Sequence, residues 1–284
     1  MTNYLCLILI LSITACTGTL DTRPDVFIQS ERLMQQGISA YRQDNYPQAS
    51  KAFNKAINLY QSIDDQQGIL LAHINLIKSR LAISQFTQAE QTLANLNTRM
   101  APPALRAQIT ALQAHALFLQ QNYKSALQTF APLLQQIPKN HAPMSNAQIQ
   151  WLMLQTKYAL FAHTADAPAW FDRLTTALSK HDNSSPLQTA LFNRLGAQAA
   201  LQNGQIEKAM QLMHTALAGY KAKAHRRATA SCLQELAVIH LAHHDIAAAK
   251  QALNRALRIR QWLQDSYKTQ QITQQLTTLK QNTP

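Results

Sequence analysis

The sequence predicts an all-α fold, a right-handed α-solenoid of about six helix hairpins closed by a C-terminal capping helix. Three observations carry that expectation. An alanine followed four residues on by a bulky apolar side chain, and three further by a small or apolar one, recurs six times. The anchors are Ala49/Phe53/Ala56, Ala89/Leu93/Leu96, Ala126/Phe130/Leu133, Ala167/Phe171/Leu174, Ala209/Met213/Ala216 and Ala249/Leu253/Ala256. Successive anchor alanines are 40, 37, 41, 42 and 40 residues apart, a period too long for a heptad and suited to a repeated two-helix unit. Only 6 glycines occur in 284 residues rich in alanine, leucine and glutamine, which leaves few turn formers for an all-β chain and favours helices on short connections.

Taken in order, residues 1–15 hold no acidic or basic side chain, and Leu5 to Leu11 form an apolar run interrupted only by Cys6. The run is too short to cross a bilayer and stands where a secretory signal would. It ends in Ile13-Thr14-Ala15-Cys16, which resembles a bacterial lipobox. That resemblance implies a lipoprotein signal peptide over 1–15, lipidation of Cys16, and a polar tether over 16–24. Thr17, where lipoproteins retained at the inner membrane carry Asp, implies an outer-membrane location facing the periplasm. The remaining cysteine, Cys232, falls at a helix-core phase and reads as a small buried hydrophobe.

Gly37 to Tyr60, GISAYRQDNYPQASKAFNKAINLY, opens the repetitive body over 25–284. The alanines mark close helix crossings, Phe53 fills the gap to the next pair, and the spacing puts all three on one face. Tyr41, Tyr46, Ala49, Phe53 and Ala56 stand where tetratricopeptide repeats place their aromatics and their small-large-small stripe, and the segment closely resembles such a repeat. Equivalent units run roughly over 27–62, 68–100, 103–138, 145–180, 186–222 and 226–262. The fourth is weakest, because Thr164 replaces the turn aromatic and Pro168-Ala169-Trp170 blurs the register. Asn58 to Gly68, NLYQSIDDQQG, looks like the long-period variety of about forty residues. There the second helix runs on by about two turns into an acidic, glycine-containing bend. Residues 266–281 read as a cap helix with Ile272, Leu276 and Leu279 on its apolar face.

No phosphate-binding glycine loop, nucleophile elbow, zincin motif or Cys-x-x-Cys pair occurs, so no enzyme activity and no cofactor are expected. His240, His243, His244 and Asp245 read as a polar inter-helix turn, not as metal ligands. Function is therefore expected on surfaces. The resemblance places groove-facing positions, candidates for holding an envelope protein or peptide segment, at Met34, Tyr41, Arg42, Lys78, His115, Arg194, Gln198, Gln202 and Gln234. From Glu207 onward, 11 Lys or Arg stand against 4 acids, more than half of the chain's net charge of +12. Lys221, Lys223, Arg226, Arg227, Arg255, Arg258 and Arg260 are read as a basic surface for anionic lipid or glycan. Nucleic acid would lie in the wrong compartment. The leading expectation is a membrane-anchored, non-catalytic scaffold of the cell envelope. The alternatives are a binder of anionic glycan or lipid surfaces, and a cytosolic repeat regulator whose amino terminus is misread.

Overall fold

The computed structural model describes residues 23–99, 101–138, 144–180 and 185–281. Cys16 and the rest of the lipobox lie outside the described residues. Among those described there are thirteen α-helices and no strand. They pair in chain order as α1 (Asp25–Arg42) with α2 (Tyr46–Ser62), α3 (Gln66–Ala82) with α4 (Phe86–Ala94), and α5 (Pro103–Leu119) with α6 (Tyr123–Leu134). There follow α7 (Asn146–Phe161) with α8 (Ala167–Ser179), α9 (Pro186–Gln202) with α10 (Ile206–Ala222), and α11 (Arg226–Ala242) with α12 (Ile246–Trp262). A last helix, α13 (Ser266–Gln281), packs on α12.

One turn geometry generates most of this order. Between α1 and α2 the backbone of Asp44 enters the left-handed region at φ 61°. Its amide donates to the carbonyl of Tyr41 at 3.1 Å, and the next amide, Asn45, donates to Ala40 at 2.9 Å. These two bonds satisfy the last carbonyls of the ending helix. Asn45 then begins the next helix, its side chain accepting the Gln48 amide. The same left-handed residue recurs at Asp64, Ser84, Gln121, His163, Gly204, Ala224, His244 and Gln264, and each is followed by an amide bonded back to the preceding helix. Asp65, His225, Asp245 and Asp265 repeat the capping role of Asn45. A 17-residue helix with such a 3-residue turn occupies twenty residues, which is why the turns fall at 44, 64 and 84 and again at 204, 224, 244 and 264. The forty-residue period is two such modules.

The core is a string of clusters, each straddling consecutive hairpins. All six anchor alanines, Ala49, Ala89, Ala126, Ala167, Ala209 and Ala249, are no more than 1% exposed, so each helix crossing is made against a methyl group. Two glycines serve the same end. A Cβ on Gly37 would lie 2.4 Å from the Phe53 ring, and one on Gly68 would lie 2.4 Å from the Tyr60 ring. Gly68 therefore corrects the expected bend: α2 stops at Ser62, and Gly68 lies inside α3, where the tyrosine needs its missing side chain.

The two ends of the array meet. Tyr46, Ala82 and Ile83 from the first two hairpins bury themselves with Leu263 of the α12–α13 turn. Phe86 meets Tyr267 edge to face at 5.1 Å. Beside them Arg226 binds the Asp44 carboxylate at 3.1 Å and lies 4.2 Å over the Trp262 ring, while the Tyr46 hydroxyl donates to the other Asp44 oxygen at 2.7 Å. The left-handed turn at Asp44 is thus also the clasp that draws the stack into a closed curve.

Gly37→Ala is expected to lower stability by about 1–3 kcal/mol, because the added methyl overlaps a buried ring. Ala224→Gly is expected to raise it by up to about 1 kcal/mol, since alanine at φ 49° bears a left-handed penalty that glycine does not. Denaturant unfolding followed by circular dichroism measures both. Combining Leu263→Ser with Arg226→Gln should open the ring, raising the radius of gyration in small-angle scattering while helix content is retained.

Candidate functional site

Inside the curve lies a recessed central pocket of about 460 Å³ that is partly open to solvent. Its wall is assembled from the first helices of successive hairpins, which face inward, and from α13. His115 and Phe118 come from α5, Lys157 from α7, Arg194 from α9, Arg227 and Glu235 from α11, and Arg260 and Lys268 from either side of the last turn. Five cationic side chains and two carboxylates line the wall, leaving an excess of three positive charges when all are ionised.

Two of the cations are neutralised in place. Arg194 grips Glu235 with two nitrogens, Nε at 2.8 Å and Nη2 on the other oxygen, and Gln198 Nε2 donates to the same carboxylate at 3.0 Å. Burial works against the Arg194 cation, but Glu235 outweighs it and holds its pKa above the usual guanidinium value. This charge-assisted fork ties one hairpin to the next. Arg260, 4% exposed, binds the Asp265 carboxylate at 3.2 Å and donates to Ser231 Oγ at 2.8 Å. Asp265 is itself 1% exposed and caps α13. Burial is the larger influence on Arg260 and lowers its pKa to about 10 despite that partner.

Lys157 and Arg227 have no carboxylate within ion-pair distance among the described residues. The ammonium of Lys157 lies 4.3 Å above the Phe118 ring, a cation–π contact that offsets part of its lost hydration. Burial, reinforced by repulsion from Arg194, pushes its pKa down to about 7 against the pull of Glu235. Burial also opposes the charge on Arg227, and the facing Tyr41, Tyr46 and Asp44 more than restore it.

The expected groove positions separate into groups. His115, Arg194 and Gln234 line the cavity, Gln198 joins it through Glu235, and Tyr41 faces Arg227. Met34 packs into the first hairpin's core, Arg42 is exposed at the end of α1, and Lys78 is half-buried in α3. Gln202 donates to the Leu160 carbonyl and lies 3.2 Å from His163 Nδ1, holding two hairpins together. The basic-surface grouping is corrected at two positions. Arg227 lines the cavity and Arg260 is buried, because the first turn of α11 and the last turn of α12 face the array's interior. Arg226 is engaged in the clasp; Lys221, Lys223 and Arg258 are exposed, and Arg255 is half-buried. His240, His243 and His244 join no three-residue cluster able to hold a metal among the described residues, and Asp245 is occupied in capping α12.

Sequence reasoning passed over Lys157 and Glu235. Lys157 is the only charged residue in α7, an otherwise uncharged helix, and a lone cation in such a run was the available signal. Glu235 stands next to the chosen Gln234 and 41 residues after Arg194, one repeat along. Cys232 is fully buried, and burial pushes its thiol up to about 12.

A second groove of about 470 Å³ continues from the cavity between α11, α12 and α13. Val238, 51% exposed, and Leu241 give it an apolar floor, and Gln234, Gln271 and Gln275 supply amides.

No family model matches the sequence, and no curated protein matches it. Among solved structures, a signal transduction ATPase with numerous domains and a tetratricopeptide repeat sensor, from Pyrococcus horikoshii, is similar to this chain with a TM-score of 0.54 at 14% identity. The match covers 84% of this chain and 36% of that one, so this chain spans about a third of the archaeal protein's length. A tetratricopeptide repeat protein from Parabacteroides merdae gives a TM-score of 0.47 at 13% identity, over 89% of this chain and 99% of that one. The fold is a tetratricopeptide-repeat solenoid. At these identities the likeness is one of architecture, and the solenoid's cavity is characterised by its own residues.

Lys157→Met is expected to stabilise the solenoid by about 1–2 kcal/mol, since an uncompensated cation gives way to apolar volume. Because burial depresses the folded pKa, the cost of Lys157 is complete below about pH 7 and fades as pH rises toward the unfolded value. The gain should accordingly be larger at pH 6 than at pH 9 in paired thermal melts. Arg194→Met should instead cost about 3 kcal/mol or more by leaving Glu235 unpaired.

Proposed function

We propose that this solenoid is a non-catalytic scaffold anchored to the bacterial cell envelope, which holds a protein partner or peptide segment on its inner surface. The observation that carries the recruitment half is the groove joining Val238 and Leu241 to the amides of Gln234, Gln271 and Gln275. Apolar side chains left exposed on the concave side of a stack, flanked by groups that can bond a main chain, suit the apolar anchors and carbonyls of a bound segment. The repeat part of the archaeal ATPase is described as its sensor, a recognition role consistent with this reading. Membrane attachment rests on the sequence Ile13-Thr14-Ala15-Cys16. Among the described residues no helix is long and apolar enough to cross a membrane, so attachment in this reading is through lipid on Cys16. A location at the periplasmic face of the outer membrane belongs to the same proposal.

Two measurements test it. Metabolic labelling with a fatty-acid probe should mark the wild-type chain and leave Cys16→Ser unlabelled; label persisting in the variant removes the anchor. A photo-crosslinker at Val238 should capture a discrete envelope protein, and Leu241→Asp should abolish the adduct. An adduct indifferent to Leu241→Asp would assign recruitment to another surface.

A further inference from the structure

The pocket holds more positive charge than its own carboxylates neutralise. Arg194 and Arg260 have carboxylate partners, whereas Lys157 and Arg227 have none among the described residues. Lys268 donates to Gln271 at 2.8 Å and meets a tyrosine ring. Two buried polar atoms on the same wall, Nδ1 of His115 and Nε of Arg260, have no hydrogen-bond partner. Leaving such atoms unmet inside a protein costs about 1–3 kcal/mol each, more when the group is charged. Arg227 is held by Tyr41 beside the clasp and Lys157 lies over the Phe118 ring, but neither has a carboxylate to neutralise it. The six anchor crossings are apolar, and Arg226, not Arg227, reaches Asp44.

What the groups share is a direction. Lys157, Arg227 and Lys268 line one recessed pocket with His115 and Gln234, brought there from α5, α7, α11 and α13. We propose that the central cavity binds a compact organic anion carrying two or more negative charges, held by Lys157 and Arg227 with His115 and Gln234 completing its hydrogen bonds. The cavity's 460 Å³ falls in the range of small-molecule sites, roughly 300–1,000 Å³. Phe118, Phe161 and Tyr123 add aromatic wall for the organic part. A compact ligand suits these side chains better than a flat membrane or glycan surface, because they are recessed on the inner side of a stack whose ends are clasped together. Arg194 stays on Glu235 and keeps the wall in register, acting as a positioning residue. The site does not depend on lipid attachment, and it adjoins the recruitment groove, with which it shares Gln234, Val238 and Gln275.

The purified full chain, in low-salt buffer, is titrated by calorimetry with citrate, with pyrophosphate, and with acetate as a singly charged control. The expected result is 1:1 binding of citrate or pyrophosphate with a raised melting temperature, and no binding of acetate. Preference between the first two distinguishes a polycarboxylate from a phosphate ligand. Arg227→Gln should weaken binding by about tenfold or more, as loss of a charge-assisted bond implies. Lys157→Met should weaken it similarly while melting higher than wild type, so its loss of binding cannot be ascribed to unfolding. Lys221→Gln with Lys223→Gln, both on the outside, should bind as wild type. The proposal is overturned if neither polyanion binds 1:1, or if the two cavity variants bind as well as wild type. It is equally overturned if a hexaglutamate peptide binds tenfold tighter than both polyanions, which would assign the cavity to an acidic segment.

Discussion

The architecture depends on a three-residue turn in which a left-handed residue returns two amides to the helix that has ended while the next residue starts the helix that follows. In one stroke it satisfies carbonyls that would otherwise be orphaned and fixes the angle between consecutive helices. At Asp65, Asp245 and Asp265 a single residue serves both helices, its amide bonded backward and its carboxylate forward. Where this turn joins seventeen-residue helices, at both ends of the array, the chain advances by equal increments, and repeated increments make a superhelix. The alanine and glycine crossings then decide how tightly each increment packs.

Equal increments also bring the ends together. The clasp at Asp44, Arg226 and Leu263 narrows the inner groove into a recessed pocket. On a flat surface, lysine and arginine would remain hydrated at little cost. Recessed here, the same side chains lose hydration, which is why Lys157 and Arg260 both lose proton affinity even though one is unpaired and the other paired. The basic character of the carboxy-terminal third therefore divides in two. Lys221, Lys223 and Arg258 keep the outside soluble, whereas Arg227 and Arg260 are turned inward with Arg194.

How far the fold was legible follows from which forces are local. The stripes at Ala49, Phe53 and Ala56 and their five counterparts could be read because helix periodicity and small-residue crossings leave their mark within eight residues of sequence. The twenty-residue module was harder to see. Its left-handed position is filled by Asp, Ser, Gln, His, Ala or Gly, and the backbone bonds of the turn leave no fixed side-chain signature. Gly68 looked like a bend because glycine marks turns when read alone. Its actual reason, the ring of Tyr60, is set by packing between helices.

The sequence alone determined that this protein is helical and repetitive, with small residues at every crossing, because those properties are imposed by neighbours along the chain. Tertiary structure decided which charged residues face one another. Arg194 and Glu235 are one repeat, 41 residues, apart and Asp44 and Arg226 are 182 apart; periodicity aligns the hairpins but does not say which charged side chains pair. It also decided that Lys157 and Arg227 line one recessed pocket, since that follows only from the curvature accumulated over every hairpin between them and the meeting of the two ends.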